Sequence, residues 1–205
     1  MQDTAGELKK IKQSFRLLMN GAASQSMRSK GVDYKLNWGI PLVDIQQLAA
    51  PYGKDYDLAI SLWKENIREC KIMATLIMPA ERMMPDLANL WMEETNTQEV
   101  AEMAAFNLYQ HLDFAPDLAL FWTANPKPLF QICAYQILSR LFMKHAGLDA
   151  REINEYLDQV GIALHDEHIG VRHAAINSVR NFMNMGDDYE RIARKALKSL
   201  DLDFL

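Results

Sequence analysis

The densest set of side chains able to ligate a metal is His165-Asp166-Glu167-His168, with His173 five residues further on. Imidazole nitrogens and carboxylate oxygens are both common zinc ligands. The cluster falls in a predicted loop between two helices, however, and Asp166 has the residue type that caps a following helix. We therefore predict no metal site and no cofactor. The sequence also has no glycine-rich phosphate loop and no pair of cysteines at metal-binding spacing.

The basic residues are concentrated near the two ends of a chain whose net charge is −5. Residues 1–40 hold seven Lys/Arg and three Asp/Glu, a net charge of +4. Residues 41–167 hold nine and nineteen (−10), and residues 168–199 hold six and three (+3). Proteins that enclose duplex DNA usually present a coherent basic surface. This distribution therefore argues against strong nonspecific DNA binding and leaves a local basic track inside the curve as the alternative.

The composition predicts a helical protein. Apolar residues make up 49% of the chain, and Leu, Ala, Met, Glu and Lys, which favour helices, are abundant. No run of about 18 apolar residues is present, so we expect no membrane span. The polar start MQDTAGELKKIKQ is not typical of a signal peptide. Cys70 and Cys133 fall on apolar helix faces, which indicates buried, reduced thiols and a cytoplasmic protein.

Short helices that end in an aromatic residue alternate with longer apolar helices along the middle of the chain. The short helices end at Leu62-Trp63, Leu90-Trp91 and Phe121-Trp122, and the longer ones begin near Ile67, Val100, Phe130 and Val171. The intervals of 33, 30 and 41 residues are typical of helix-pair repeats. One pair cannot bury its apolar face alone. We therefore predict an all-α helical-repeat solenoid, an α-α superhelix, of about eleven helices.

The first of these longer helices is predicted to be an inner one. Cys70, Met73, Ala74, Ile77 and Met78 lie on one face at i, i+3, i+4, i+7 and i+8. Proline cannot continue a helix, so the helix should end at Pro79. The three repeated tryptophans, one per unit, are predicted to pack between helices rather than to stack on bases.

We expect a single domain over residues 1–205. Residues 1–35 should form one helix, near Thr4–Asn20, and the polar loop GAASQSMRSKG. Residues 36–185 should hold the helix pairs, and residues 186–205 a C-terminal capping helix. In the last pair, Asp166, Val171-Arg172 and Ala175 resemble the second-helix motif of HEAT repeats, which implies that Arg172 bonds to an adjacent turn.

One stretch carries a family resemblance through four features: Leu62-Trp63, Arg68-Glu69, Ala74 and Ile77-Met78. Their spacing resembles the second-repeat pattern of the DNA alkylation repair (AlkD-like) glycosylases. The segment Trp38-Gly39-Ile40-Pro41 resembles that family's Gly-Ile/Val motif. The resemblance runs from about residue 36 to about residue 182. It implies a HEAT-like repeat fold and an enzyme that releases alkylated purines from DNA.

The resemblance also implies catalytic positions. In that family a Trp-x-x-Val-Asp motif, an arginine of a later helix and a further tryptophan surround the lesion, and the carboxylate stabilises the oxocarbenium-like sugar. The corresponding positions here are Thr97, Ala101, Ile132 and Ser178, or Asn177 with a shift of one residue. None of them keeps the family residue. Glu102 and Glu99 are the neighbouring carboxylates that could substitute.

We therefore predict a HEAT-repeat scaffold of the DNA alkylation repair superfamily that is not an active glycosylase. Eight basic residues are candidates for contacts with duplex DNA: Arg68, Lys71, Arg140, Lys144, Arg172, Arg180, Arg194 and Lys198. A second hypothesis is an interaction solenoid whose concave groove binds another protein, consistent with the acidic middle of the chain. A third is an atypical glycosylase that uses Glu102 or Glu99. We expect a monomer.

Overall fold

The computed structural model describes residues 3–32 and 34–198, and within these ranges the chain is built from twelve α-helices. They are α1 (Thr4–Leu17), α2 (Gly21–Ser29), α3 (Leu42–Ala49), α4 (Tyr56–Trp63), α5 (Arg68–Ile77), α6 (Pro85–Glu93), α7 (Gln98–Asn107), α8 (Ala115–Thr123), α9 (Pro128–Met143), α10 (Ala150–Ala163), α11 (Ile169–Met183) and α12 (Asp187–Ala196). Short 3₁₀ turns occupy Ala50–Tyr52, Ala80–Arg82 and Tyr109–His111. In the described ranges the only extended pairing is an isolated bridge between Leu36 and Ile67. The predicted all-α fold is confirmed.

The helices form two compact units, Met1–Leu108 and Tyr109–Leu205. The first contains α1 to α7 and the second α8 to α12. Among the described residues, no helix combines the length and the hydrophobicity that crossing a bilayer requires.

In the first unit α5 is the innermost helix. It packs against α3, α4 and α7, and nine of its ten residues are buried. The predicted apolar face is therefore confirmed, and the helix ends at Ile77, two residues before Pro79. Burial also extends to Arg68, Glu69 and Lys71, which an apolar periodicity does not predict.

The repeated tryptophans pack inside the units, as predicted. Trp63 closes α4, Trp91 lies in the last turn of α6, and their indole rings stack in parallel with centroids 4.1 Å apart. In the second unit Trp122 contacts Tyr109 and Phe130 edge to face. All three tryptophans are almost completely buried, so none offers a face to an unstacked base.

One prediction about the N-terminal region is wrong. Residues 21–29, expected to belong to a polar loop, form α2, and α1 ends at Leu17 rather than near Asn20. The Asn20 side chain caps α2 by accepting a hydrogen bond from the Ala23 N–H. Ser24 donates its hydroxyl to the Asn37 carbonyl oxygen at 2.6 Å. Capping and this tertiary contact offset the weak helix propensity of the glycine and serines.

The second unit is organised around α9 and α11, which pack against each other. Ala134 and Ala175 are fully buried, and Asn181 of α11 donates a hydrogen bond to the Ser139 hydroxyl of α9 at 2.6 Å. The cluster of Phe142, Tyr156 and Phe182 joins α10 to both helices. The predicted C-terminal helix is α12, and residues 199–205 lie outside the described ranges.

Candidate functional site

A fully buried carboxylate lies at the start of α5. Glu69 accepts hydrogen bonds from the backbone N–H groups of Trp38 at 3.2 Å and Ile40 at 3.3 Å. The Arg68 guanidinium donates to a Glu69 oxygen at 3.0 Å and to the Ile40 carbonyl oxygen at 2.9 Å. A buried charge is tolerated only when it is paired and hydrogen-bonded, and Glu69 is both. Glu69 therefore fixes the segment 38–40 against α5.

The same arginine reaches the first turn of α7. Its Nε and Nη2 atoms each lie 2.6 Å from a carboxylate oxygen of Glu99, which is the two-point geometry that guanidinium and carboxylate favour. Burial acts to lower the pKa of Arg68, but the hydrogen bonds and charges of Glu99 and Glu69 outweigh it and raise that pKa. Both oxygens of Glu99 are therefore engaged by a permanent cation.

Gly39 allows the segment 38–40 to reach this position. Its φ of +70° lies in the left-handed region. A side chain there would clash with the Asn20 carbonyl oxygen and the Ser24 backbone nitrogen. The glycine of the motif identified in the sequence thus has a structural role, since it brings the chain against α2 while Trp38 and Ile40 bind Glu69.

The four positions expected to be catalytic are buried and have structural contacts. Thr97 caps α7 and its hydroxyl lies 2.8 Å from the Tyr34 hydroxyl. Ala101 and Ile132 are fully buried. The Ser178 hydroxyl lies 2.9 Å from the Tyr156 hydroxyl. The alternative position, Asn177, is exposed in α11.

The two candidate carboxylates differ in their surroundings. Glu99 is held by Arg68, and its side chain is 36% exposed. Glu102 is partly exposed on α7 and accepts a hydrogen bond from the Gln98 amide at 2.8 Å.

The sequence matches a known protein family. The family model described as "DNA alkylation repair enzyme" matches residues 11–198. The chain belongs to this family. No curated protein matches the sequence significantly.

A solved structure gives the fold independently. It comes from work on "a new family of proteins related to the HEAT-like repeat DNA glycosylases with affinity for branched DNA structures". The superposition covers 93% of this chain and 81% of that chain, with a TM-score of 0.80 and 15% sequence identity. At that identity the likeness establishes the HEAT-like helical-repeat fold, in agreement with the family assignment.

Within this family member, the basic residues predicted to contact DNA have varied surroundings. Arg68 is buried in its ion pairs, and Lys71 is buried over the Trp63 ring while donating to the Trp63 carbonyl oxygen at 3.0 Å. Burial lowers the pKa of Lys71, partly offset by the charges of Glu94 and Cys70. Neither side chain presents its charge at the surface.

The remaining basic candidates lie in the second unit. Arg172 donates hydrogen bonds to the carbonyl oxygens of Asp166 and Glu167, which confirms its predicted structural role. Arg194 is exposed and pairs with Glu190 of its own helix at 2.8 Å. The other four candidates, Arg140, Lys144, Arg180 and Lys198, are also partly or largely exposed.

The histidine cluster lies in the turn between α10 and α11, where its polar groups bond to one another. No group of three or more potential ligands converges in the described part of the chain. His168 caps α11 by accepting from the Gly170 N–H, and Asp166 accepts from the His168 N–H at 2.7 Å. The prediction that Asp166 caps this helix is wrong, because His168 is the cap residue and Asp166 bonds to its backbone N–H instead.

Basic residues that the sequence analysis did not single out line one cavity of the first unit. The cavity has a volume of about 710 Å³, and we call it the basic groove. Its charged lining residues are Lys9, Lys12, Arg16, Lys35, Lys64 and Glu65. Two signals for it were present in the sequence: the net charge of +4 in residues 1–40, and three cations of α1 at i, i+3 and i+7.

Proposed function

We propose that this protein binds DNA as a HEAT-repeat scaffold and does not excise alkylated purines. The observation that carries the proposal is the two-point pairing of Glu99 with Arg68, beside an alanine at position 101. The other carboxylate near position 101, where the family has its catalytic Asp, is Glu102, which lies on a different face of α7.

The chemistry explains why these replacements matter. Releasing an alkylpurine requires stabilisation of positive charge on the sugar, typically worth about 3 kcal/mol or a hundredfold in rate. Ala101 carries no charge, and the Thr97 hydroxyl bonds to Tyr34. Ile132 supplies no cation. Four replacements therefore remove the groups that the family aims at the reacting sugar.

DNA binding is supported by the family and by charge. The protein of the related solved structure has affinity for branched DNA structures. In this chain the basic groove offers exposed cations that could contact phosphates. Binding through phosphates alone is weak and falls steeply with salt.

Base excision can be tested directly. Duplex DNA carrying N7-methylguanine is incubated with the protein, and released base is counted over time. We expect release at the spontaneous rate. Release well above it that is abolished by Glu102→Gln would contradict the proposal and establish a relocated carboxylate. Release that persists in both Glu102→Gln and Glu99→Gln would also contradict it, by placing catalysis at another site.

DNA binding is tested separately by fluorescence anisotropy with a labelled duplex and a four-way junction of the same sequence. We expect measurable binding at 50 mM salt that weakens by 200 mM salt. Absence of binding to both DNAs at 50 mM salt would contradict this half of the proposal.

A further inference from the structure

We propose that the basic groove seats the sugar–phosphate backbone of one DNA strand. This inference rests on the proposed DNA-binding function and assigns it a site.

The cations of the basic groove come from three separate segments of the first unit. Lys9, Lys12 and Arg16 lie on α1, Lys35 on the segment before Trp38, and Lys64 at the end of α4. Five positive side chains thus face one cavity with a single acidic residue, Glu65. Like charges held this close repel one another, so a bound anion would stabilise the cluster. The concentration stands out because the whole chain has a net charge of −5.

Most of these charges are uncompensated. Lys9, Arg16, Lys35 and Lys64 are exposed, and within the described residues they take part in no salt bridge. By contrast, two of the three cations of α12 are paired on their own helix, Arg191 with Asp188 and Arg194 with Glu190. The basic groove is therefore better suited to bind phosphate than α12.

The spacing along α1 fits a polynucleotide strand. At 1.5 Å per residue, Lys9 and Arg16 are separated by about 10 Å along the helix axis. One strand of B-DNA carries about three phosphates over this axial distance. The helix therefore presents its cations over a length that several consecutive phosphates can occupy.

Three of the five remaining lining residues suit the sugar. Leu36, Trp38 and Ile67 are apolar; Leu36 is half-buried, and Trp38 and Ile67 are 7% and 6% exposed. A second cavity of about 500 Å³ shares Arg16, Leu36 and Trp38 with the groove, so the strand has a path beyond Arg16. Apolar surface flanked by cations matches deoxyribose flanked by phosphates.

One contact opposes DNA. Lys12 forms a salt bridge with Glu65 at 3.2 Å, and both side chains are about one-third exposed. A phosphate at Lys12 must compete with this carboxylate. Replacing Glu65 by Gln should therefore strengthen DNA binding.

The decisive measurement is the salt dependence of DNA affinity in matched variants. Lys9→Gln and Arg16→Gln remove cations of the basic groove. Lys10→Gln removes the same charge from the residue after Lys9, which is exposed, pairs with Glu7 and does not line the groove. Binding of the full chain to a labelled duplex is measured between 50 and 200 mM salt, after melting curves show that each variant is folded.

Three to five phosphate contacts predict that wild-type affinity falls roughly 40- to 500-fold over this range. Each groove variant should bind more weakly at 50 mM salt. Its slope of log affinity against log salt should be shallower than that of the wild type by about 0.9. Lys10→Gln should retain the wild-type slope, and Glu65→Gln should bind more tightly.

The outcomes separate the two proposals. If the wild type binds no DNA, both fail. If it binds DNA and the groove variants keep the wild-type slope and affinity, the groove assignment fails while DNA binding stands. If polyglutamate binds the groove as tightly as DNA at equal salt, the occupant is an acidic protein segment and the assignment to DNA is overturned.

Discussion

Arg68 and Glu99 are 31 residues apart in the chain, and their side chains meet through two bonds of 2.6 Å. Each belongs to the first turn of an inner helix, α5 or α7. The pair therefore ties two consecutive helix pairs together at the same end. On its other side Arg68 neutralises Glu69, so one guanidinium holds both carboxylates and the Ile40 carbonyl oxygen.

Removing the guanidinium should strongly destabilise the protein. Arg68→Met keeps most of the side-chain volume but leaves the fully buried Glu69 without its cation. We expect the free energy of unfolding to fall by about 3–5 kcal/mol in urea denaturation. Glu99→Gln should lower the free energy of unfolding by less. Glu99 is 36% exposed, so water can solvate the polar groups that lose their partner. Equal stabilities of Arg68→Met and wild type would show that Glu69 does not need the ion pair.

Gly39→Ala should be much more harmful than Gly31→Ala. Both glycines have positive φ, +70° and +87°, so either alanine is strained by about 1–2 kcal/mol. A Cβ at position 31 meets nothing within 4 Å, whereas at position 39 it clashes with backbone atoms of Asn20 and Ser24. That clash should add about 1–3 kcal/mol. Urea denaturation of the two variants checks the difference, and similar losses would contradict the close approach.

Trp91→Ala should destabilise the first unit without specifically changing the affinity for DNA. Trp91 is almost fully buried and stacks on Trp63, so its truncation should cost about 3–5 kcal/mol. Leu90→Ala is the matched control, because Leu90 is 52% exposed and should change stability by no more than about 0.5 kcal/mol. Thermal melts give the comparison. A folded Trp91→Ala protein that loses DNA affinity at low temperature would instead indicate a binding role for this tryptophan.

Alkaline pH should weaken the fold through Tyr34. Burial raises the pKa of Tyr34 to about 12, with its hydrogen bond to Thr97 acting in the opposite direction. The folded protein thus holds this proton more tightly than the unfolded chain. The resulting stability is complete below the ordinary pKa of about 10 and is lost as pH rises towards 12.

Near pH 11 the Tyr34 contribution should fall by about 1 kcal/mol per pH unit. Urea denaturation at pH 8, 10 and 11 should therefore show a shallower decline for Tyr34→Phe than for wild type. Parallel declines would mean that Tyr34 ionises as readily in the folded protein as in the unfolded chain.

The sequence by itself determined the helical class, the alternation of short and long helices, and the buried positions of the repeated tryptophans. These features depend on local periodicity, and the 3.6-residue period of apolar side chains can be read within a single helix. The family resemblance was also visible in residues 36–78, and the family match over residues 11–198 agrees with it.

Only the tertiary structure decided what the polar residues do. Arg68 and Glu69 at a helix start could equally have been solvated, and the choice depended on partners 28 to 31 residues away. The helix at residues 21–29 required Asn37 and Trp38 from a later segment. The basic groove likewise combines cations of residues 9–16, 35 and 64, because the packing of helices, rather than spacing along the chain, brings like charges to one cavity.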